Sequence, residues 1–222
     1  MSEKVTFGRP DGRECSGYYA EPDDDGEAPG VVVIQEWWGL NDQIRGVADR
    51  LAESGYRALV PDLYRGDITL DAAEAEHMMG DLDFADAATQ DVRGAVQHLE
   101  QSSLKVAVLG YCMGGALAVL AAVYVEEADA VVCWYGVPPE EAADTRTIDI
   151  PFQGHFALED GFFPPEQVDA LEEKLKEGNV DYEFYRYRAG HAFGNENNED
   201  HDPEATELAW RRSLDFLGKH VG

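Results

Sequence analysis

The sequence predicts an α/β fold in which a mainly parallel central sheet is flanked by helices on both faces. Short apolar runs alternate with longer amphipathic segments, which is typical of strands alternating with helices. The run Gly-Val-Val-Val-Ile-Gln at residues 30–35 is almost entirely apolar and β-branched, as expected of a strand buried on both faces. Because the chain has 222 residues, 44% of them hydrophobic, and no internal repeat or linker, we expect a single domain over residues 1–222.

The first half of the chain opens with two strands and continues with strands and helices in alternation. Pro10-Asp11-Gly12 is a turn signal between the opening strands, and residues 21–26 read as an exposed acidic loop. Asn41 or Asp42 caps the first helix, and Gly55 ends it. The strands predicted in this half cover residues 4–9, 15–20, 30–35 and 57–61. The predicted helices are one that runs to about residue 54, a short one between residues 67 and 80, and a longer one over residues 83–101.

The second half is centred on a strand that runs directly into a helix. This strand covers residues 105–110, and the helix begins near Met113. Pro203 stands in the first turn of the last helix, where its missing N–H removes no hydrogen bond. The remaining predicted strands cover residues 130–135, 150–157 and 182–187, and the remaining helices cover residues 166–177 and 203–217.

The composition excludes several classes of protein. No apolar run approaches the roughly 20 residues of a membrane span, and the N-terminal residues lack the pattern of a signal peptide. The three cysteines, Cys15, Cys112 and Cys133, are far apart and form no metal-binding spacing, so we expect no disulfide framework, no metal and no cofactor. A cytoplasmic protein that is a monomer or a small homo-oligomer fits this composition best.

The charge balance is strongly acidic, with 45 Asp and Glu against 17 Lys and Arg and a net charge of −28. An acidic disordered region would concentrate this charge in blocks, whereas the carboxylates are scattered, and binding of a basic partner would need a focused patch. We expect a salt-adapted surface instead, because at molar salt the Debye length falls to about 3 Å and crowded carboxylates no longer repel one another. Nucleic acid is excluded as a partner by the sign of the charge.

The segment Gly-Tyr-Cys-Met-Gly-Gly at residues 110–115 lies where the central strand turns into a helix. Such a turn strains its central residue, and the flanking glycines give it clearance. The side chain of Cys112 would then project over the carboxyl end of the sheet at the positive end of the helix, where a thiolate is favoured. This is the nucleophile elbow of the α/β-hydrolase fold with Cys in place of Ser. The alternative is a Gly-rich turn packed around an inert, buried cysteine.

A catalytic acid and base should follow the nucleophile along the chain. Only His191, in the segment Ala-Gly-His-Ala-Phe-Gly, lies in a Gly-flanked loop after a late strand, from which an imidazole could reach Cys112. The other histidines fall on or near helices or, for His155, inside a strand, where surface or core roles are expected. Asp160, at the carboxyl end of the preceding strand, is the candidate acid, and Glu159 is the alternative.

Three segments also carry a family resemblance. They are the elbow, the segment Val-Ile-Gln-Glu-Trp-Trp-Gly at residues 33–39 and the segment Ala-Gly-His-Ala-Phe at residues 189–193. Together they resemble the dienelactone hydrolase (carboxymethylenebutenolidase) family, and the match extends in order from about residue 30 to residue 217. The resemblance implies an ester or lactone hydrolase in which Cys112 is the nucleophile, His191 the general base and Asp160 its orienting acid.

The resemblance also implies roles for residues after the first buried strand. Glu36 corresponds to a family glutamate that approaches the nucleophilic thiol, and the backbone N–H groups of Trp37 and Met113 would form the oxyanion hole. Independently, Glu36 lies at the same sheet edge as the elbow, where an unpaired carboxylate is costly. The alternative is a loop carboxylate without a role in a chain that has many.

One departure from the family concerns the charge of the substrate. Members that hydrolyse dienelactone bind its carboxylate with two arginines, one in the helical segment after the fourth strand and one four residues beyond the catalytic histidine. Here Asn195 occupies the second position, and no Lys or Arg lies between Arg65 and Arg93. Asn195 is therefore a candidate substrate-binding residue without charge, and a carboxylesterase for neutral esters is the alternative to an enzyme for dienelactone.

Two competing interpretations keep the fold and change the function. A redox-sensing or non-catalytic protein would use Cys112 as a reactive thiol, with Cys133, near the end of a neighbouring predicted strand, as the resolving cysteine. An acidic binding module would have no active site at all. The sequence favours the hydrolase, whose partner is a small ester or lactone, because the redox interpretation does not require His191 and Asp160.

Overall fold

Within residues 1–23 and 26–222, which a computed structural model of the protein describes, eight strands form one sheet. The strands are β1 (Ser2–Gly8), β2 (Glu14–Ala20), β3 (Gly30–Ile34), β4 (Arg57–Pro61), β5 (Val106–Tyr111), β6 (Ala130–Trp134), β7 (Phe152–Glu159) and β8 (Tyr182–Gly190). Their order in the sheet is β1-β2-β4-β3-β5-β6-β7-β8. β2 is antiparallel to both of its neighbours, and all other pairs are parallel. The predicted α/β fold with a mainly parallel sheet is confirmed.

Helices connect the strands. They are α1 (Asp42–Glu53), α2 (Ala72–Asp81), α3 (Phe84–Asp86), α4 (Arg93–Leu99), α5 (Met113–Tyr124), α6 (Pro165–Glu177) and α7 (Pro203–His220). A π-helical segment, Ala87–Val92, joins α3 to α4, and two short 3-10 turns, Glu140–Ala142 and Thr145–Thr147, precede β7. None of the helices in the described ranges is both long and apolar enough to cross a membrane.

The central strands separate two hydrophobic cores, because alternate residues of a strand face opposite sides of the sheet. Val32 and Val108 belong to one core with residues of α4, α5 and α6, and Val31 and Leu109 belong to the other with residues of α1 and α7. The helices therefore cover both faces, as predicted. This burial fixes β3 and β5 at the centre of the sheet, and the loops at their carboxyl ends share one edge.

Several predicted boundaries shift by a few residues. Asn41, rather than Asp42, caps α1, with its side chain accepting a hydrogen bond from the N–H of Ile44 at 3.2 Å. β7 begins later than predicted, and β8 continues to Gly190, so that His191 follows the strand directly. Part of the predicted acidic loop, residues 24 and 25, lies outside the described residues.

The helix predicted over residues 83–101 is present from residue 84 to residue 99 but is not regular, and the short helix predicted between residues 67 and 80 lies at Ala72–Asp81. α2 begins at Ala72 and is capped by Asp71, whose side chain accepts the N–H of Glu74 at 3.0 Å. The second helix is interrupted by the π-helical segment, in which Asp91 is fully buried. A wider π turn changes the direction in which the following side chains project, and here it accompanies the burial of a carboxylate that two arginines neutralise.

These arginines form a salt-bridge network with Asp91, in which Arg9 and Asp91 are buried and Arg65 is partly exposed. Arg65 donates two hydrogen bonds to the Asp91 carboxylate at 2.9 and 2.8 Å. Arg9, whose side chain is only 2% exposed, donates to Asp91 at 3.1 Å and to Asp86 at 2.9 and 2.8 Å. The network joins the β1–β2 turn and the loop after β4 to the π-helical segment. Removing one partner of such a buried set leaves an uncompensated charge, so the three elements are held together strongly.

Candidate active site

The turn from β5 into α5 has the geometry of a nucleophile elbow. Cys112 lies between the two elements with φ 54° and ψ −117°, a conformation that L residues adopt only under strain. A Cβ atom on Gly110 would lie 1.9 Å from the carbonyl oxygen of Gly114, and one on Gly114 would lie 2.4 Å from that of Ile34. Only glycine fits these two positions. The turn can therefore pack against β3 and present the Cys112 thiol at the carboxyl edge of the sheet.

A chain of hydrogen bonds joins Cys112 to two residues from neighbouring strand ends. The Sγ atom of Cys112 lies 3.1 Å from Nε2 of His191, and Nδ1 of His191 lies 2.8 Å from Oδ2 of Asp160. The other carboxylate oxygen of Asp160 accepts the backbone N–H groups of Phe162 and Phe163 at 2.8 and 2.9 Å. Asp160 thus holds the Nδ1–H tautomer of His191, whose Nε2 is left to accept a proton from the thiol.

The alternative acid, Glu159, does not take this position. It is exposed, whereas Asp160 is 6% exposed. The pairing of β7 with β8 shifts register between Ala157 and Glu159, just before the acid. Irregularities of this kind redirect side chains at the ends of strands. The structure therefore brings together Cys112, Asp160 and His191, and leaves Glu159 at the surface.

The surroundings of Cys112 favour a resting thiol. Burial, followed by the negative charges of Glu36 and Asp160, raises the pKa of Cys112 well above its ordinary value, and the N–H of Met113 only partly opposes this rise. The sequence-based expectation of a resting thiolate at the helix N-terminus thus does not match the site. Desolvation of the anion and a nearby carboxylate outweigh the helix N-terminus.

Glu36 lies buried near the start of the loop that follows β3. Its carboxylate accepts hydrogen bonds from the Tyr135 hydroxyl at 3.2 Å and from the Asn195 amide at 2.6 Å. Burial raises the pKa of Glu36, while the hydrogen bond from Asn195, the charge of His191 and the hydrogen bond from Tyr135 act in the opposite direction. Glu36 affects Cys112 through its charge, since the hydrogen bonds that it accepts come from other residues.

Asn195 is placed differently from its predicted role in substrate binding. It is buried, its amide N–H donates a hydrogen bond to the Glu36 carboxylate, and its amide oxygen accepts the backbone N–H of Asn197 at 3.0 Å. Both polar ends of the side chain are engaged, so the geometry fits a residue that positions Glu36. Tyr135, which sequence reasoning missed, has φ 38° at the carboxyl end of β6. Its position directly after a buried strand was the one available signal.

The two backbone groups predicted to bind an oxyanion belong to the start of α5 and to the loop after β3. Met113 is the first residue of α5, where an N–H has no acceptor within the helix. Trp37 lies in the loop after β3, and its ring makes an edge contact with the ring of Phe162 at 5.8 Å. The oxyanion role of both N–H groups stays a prediction.

Aromatic side chains surround the imidazole of His191. The rings of Phe162 and Phe163 lie 4.8 and 5.6 Å from it, and that of Tyr135 lies at 5.5 Å. Phe162 is 60% exposed, which is unusual for a large apolar side chain. The entrance to the site is therefore aromatic and apolar on the side of the loop that carries Asp160.

His155 and Cys133 have core environments. His155 is fully buried, its ring nitrogens are hydrogen-bonded to Tyr187 and Gln153, and burial lowers its pKa to about 3. Cys133 is fully buried beside Gly136, to whose carbonyl oxygen its thiol donates at 3.0 Å. Burial raises the pKa of Cys133 to about 12, which makes it unreactive at neutral pH.

A mainly parallel sheet with a nucleophile elbow at the carboxyl end of β5 defines an α/β-hydrolase. The sequence model of the dienelactone hydrolase family matches residues 15–221. The chain therefore belongs to the dienelactone hydrolase family, a family of carboxylic ester hydrolases, and the resemblance predicted from its motifs is confirmed.

Individual relatives agree with this placement over the full length of the chain. Protein usf of Aquifex pyrophilus is 32% identical over 233 residues, covering all of both chains. Carboxymethylenebutenolidase 1 of Cupriavidus pinatubonensis is 31% identical over 230 residues, covering 98% of this chain and 97% of the relative. The crystal structure of a dienelactone hydrolase-like promiscuous phosphotriesterase from metagenomic libraries superposes with a TM-score of 0.85 at 25% identity, covering 100% of this chain and 99% of that one.

Proposed function

We propose that the protein hydrolyses a carboxylic ester or lactone by covalent catalysis, with Cys112 as nucleophile, His191 as general base and Asp160 as its orienting acid. The observation that carries this proposal is the unbroken hydrogen-bond chain from the thiol through the imidazole to the carboxylate, with separations of 3.1 and 2.8 Å. These distances lie in the range that proton transfer between heavy atoms requires. In this proposal all three residues belong to one domain.

The first half of the proposed reaction forms a thioester. Nε2 of His191 accepts the thiol proton as Sγ of Cys112 attacks the ester carbonyl carbon, and Asp160 stabilises the imidazolium that results. The carbonyl oxygen becomes an oxyanion, which the N–H groups of Met113 and Trp37 stabilise. His191 then gives its proton to the departing alcohol oxygen as the carbon–oxygen bond breaks.

The second half releases the acid and restores the thiol. Water loses a proton to His191 and attacks the thioester carbonyl, the carbon–sulfur bond breaks, and the proton returns to Sγ of Cys112. A lactone follows the same steps, except that its leaving alcohol stays attached to the acyl chain. Glu36 favours the protonated state of Cys112 between turnovers, so that attack is coupled to proton transfer within the bound complex.

A redox-sensing role receives less support. Cys133, the candidate resolving cysteine, is fully buried and donates to a backbone carbonyl of its own turn. Cys15 is also buried, and its pKa is raised to about 12. A sensor needs an accessible, acidic thiol, and the surroundings of all three cysteines act against ionisation. The intact His191–Asp160 pair is explained by hydrolysis and has no use in the redox alternative.

An acyl-enzyme trapping experiment tests the proposed function. When p-nitrophenyl acetate is mixed with the protein and quenched in acid, mass spectrometry is expected to find one acetyl group on Cys112, and steady-state turnover is expected to disappear in Cys112→Ala. Cys15→Ala, which removes a buried thiol outside the site, serves as the matched control and should retain turnover. Undiminished hydrolysis by Cys112→Ala would refute the assignment of the nucleophile.

We also propose that the acidic surface is an adaptation to high salt. With a net charge of −28, the folded chain is expected to gain stability as KCl rises from dilute to molar concentrations, because mutual repulsion of surface carboxylates is screened. Buried pairs such as Arg9–Asp91 are screened much less and should persist. Thermal unfolding followed by circular dichroism across a KCl series measures the effect. A melting temperature that is flat or falls with KCl contradicts the proposal.

A further inference from the structure

An apolar cavity of about 600 Å³ opens beside the catalytic pair. Met113, the residue after the nucleophile, lines it, as do Phe162 and Phe163, whose rings contact the imidazole of His191. From there it extends along α5 past Ala116 towards Leu171 on α6. Its volume lies within the usual range for small-molecule sites, roughly 300–1,000 Å³, and it adjoins the nucleophile through Met113 and the imidazole through the two phenylalanine rings.

The cavity offers no free charge to a substrate. Of the described residues that line it, the two with charges are Lys174 and Glu140, which pair with each other at 2.8 Å. The other lining residues are apolar or neutral. A carboxylate placed here would lose its hydration without gaining a cation, whereas an alkyl or aryl group would be removed from water favourably.

Two arginines of the first half of the chain are also engaged. Arg65 donates both hydrogen bonds of one guanidinium nitrogen to buried Asp91, and Arg45 pairs with Asp42 at 3.0 Å. Asn195 is occupied by Glu36. Arg65, Arg45 and Asn195 are therefore engaged with other groups of the protein and are not free to bind a substrate carboxylate.

The acyl part of the ester is the part that this cavity fits. In the thioester, the acyl group is bonded to Sγ of Cys112, so its chain must leave along the surface next to the nucleophile, where Met113 and Ala116 form the first turn of α5. The alcohol oxygen must instead reach Nε2 of His191, which protonates it. The acyl chain is therefore the part of the substrate that stays bonded beside Met113 and Ala116 after the alcohol has left.

We propose that the preferred substrates are neutral esters or lactones with an extended apolar acyl group, which lies in the cavity between α5 and α6. This inference rests on the proposed function and adds the class of substrate to it. Among the described residues, the two charged ones that line this cavity, Lys174 of α6 and Glu140, neutralise each other.

A series of p-nitrophenyl esters from acetate through butyrate and hexanoate to octanoate tests the inference. We expect kcat/KM to rise by about 2- to 4-fold for each added methylene until the cavity is filled, because each methylene is removed from water. Acyl chains of equal length that end in a carboxylate should lose this gain. As a readout that needs no turnover, octanamide should bind more tightly than acetamide in isothermal titration calorimetry.

Two tryptophan variants on α6 test whether the preference for longer acyl chains arises in this cavity. Ala170 is exposed and lines the cavity, so Ala170→Trp is expected to fill it and to lower the ratio of octanoate to acetate kcat/KM by at least about tenfold. Glu173 is exposed on the same helix and does not line the cavity, so Glu173→Trp should leave the ratio as it is. Because each ratio is taken within one variant, partial loss of folded protein cancels.

The outcomes separate this inference from the proposed function. If Cys112→Ala abolishes acetate hydrolysis in a wild-type enzyme that shows no preference for longer acyl chains, the inference fails and the function stands. The inference is also overturned if kcat/KM rises with the length of the alcohol in a series of acetate esters but does not rise with the length of the acyl chain. If Cys112→Ala hydrolyses acetate as well as the wild type, the proposed function fails, and binding of octanamide still decides whether the cavity takes apolar chains.

Discussion

Replacement of Asp160 by Asn is expected to lower kcat for ester hydrolysis by roughly 10²- to 10⁴-fold while the protein stays folded. An asparagine keeps the oxygen that accepts the N–H groups of Phe162 and Phe163 at 2.8 and 2.9 Å. Its amide nitrogen would then face Nδ1 of His191 and donate to it. This reverses the tautomer, so that Nε2 carries the proton and cannot accept one from Cys112. The measurement is single-turnover acylation by a p-nitrophenyl ester.

Asp62→Asn is a matched control for this variant. Asp62 is also 6% exposed, but its side chain interacts weakly, with one oxygen 3.4 Å from the Ser16 hydroxyl and the other without a hydrogen-bond partner among the described residues. The control should retain acylation, and circular dichroism should show both variants folded. If folded Asp160→Asn acylates as fast as the wild type, His191 does not depend on Asp160 for its tautomer.

Replacement of Glu36 by Gln is expected to speed alkylation of Cys112 by iodoacetamide at pH 7 by at least about tenfold. The negative charge of Glu36 raises the pKa of the thiol, so its removal lowers that pKa and increases the thiolate fraction at a given pH. At an effective dielectric constant of about 20, two unit charges 4 Å apart interact by about 4 kcal/mol, and about 1.4 kcal/mol corresponds to tenfold. Gln is isosteric and can still bond to Tyr135 and Asn195.

The pH dependence of alkylation separates ionisation from access. A lower pKa moves the midpoint of the rate profile to lower pH, whereas a more open site raises the plateau at high pH and leaves the midpoint in place. Adducts are assigned by mass spectrometry, and buried Cys15 and Cys133, each with a pKa raised to about 12, serve as internal references. An unchanged midpoint would show that burial alone sets the pKa of Cys112.

The hydrogen-bonded set Cys112–His191–Asp160 could be predicted from the sequence because each member has a local signal. Cys112 is marked by flanking glycines at a strand-to-helix turn, and His191 and Asp160 follow strands of a parallel sheet, whose carboxyl ends share an edge. The roles of these residues are proposals that the predicted variants test. Their placement on one edge follows from the alternation of strands and helices.

Other features of the site depend on contacts that no local pattern encodes. Tyr135 and Asn195 meet at Glu36 from positions 99 and 159 residues away in the sequence. The protonation state of Cys112 depends on its burial and on the charge of Glu36, which a helix N-terminus alone does not reveal. The π-helical segment at Ala87–Val92 has the same composition as an ordinary helix, and only its contact with distant arginines distinguishes it.

The salt-bridge network also constrains the order in which the chain can assemble during synthesis. Arg9 and Asp91 are separated by 82 residues. At 5–20 residues per second, the ribosome needs roughly 4 to 16 s to produce the partner of this arginine. β4, which covers the second edge of the β1–β2 hairpin, is made earlier, but until Asp86 and Asp91 appear Arg9 can pair only with Asp11 of its own hairpin and not with the π-helical segment. The first segment to leave the ribosome is therefore among the later ones to be fixed in the native structure.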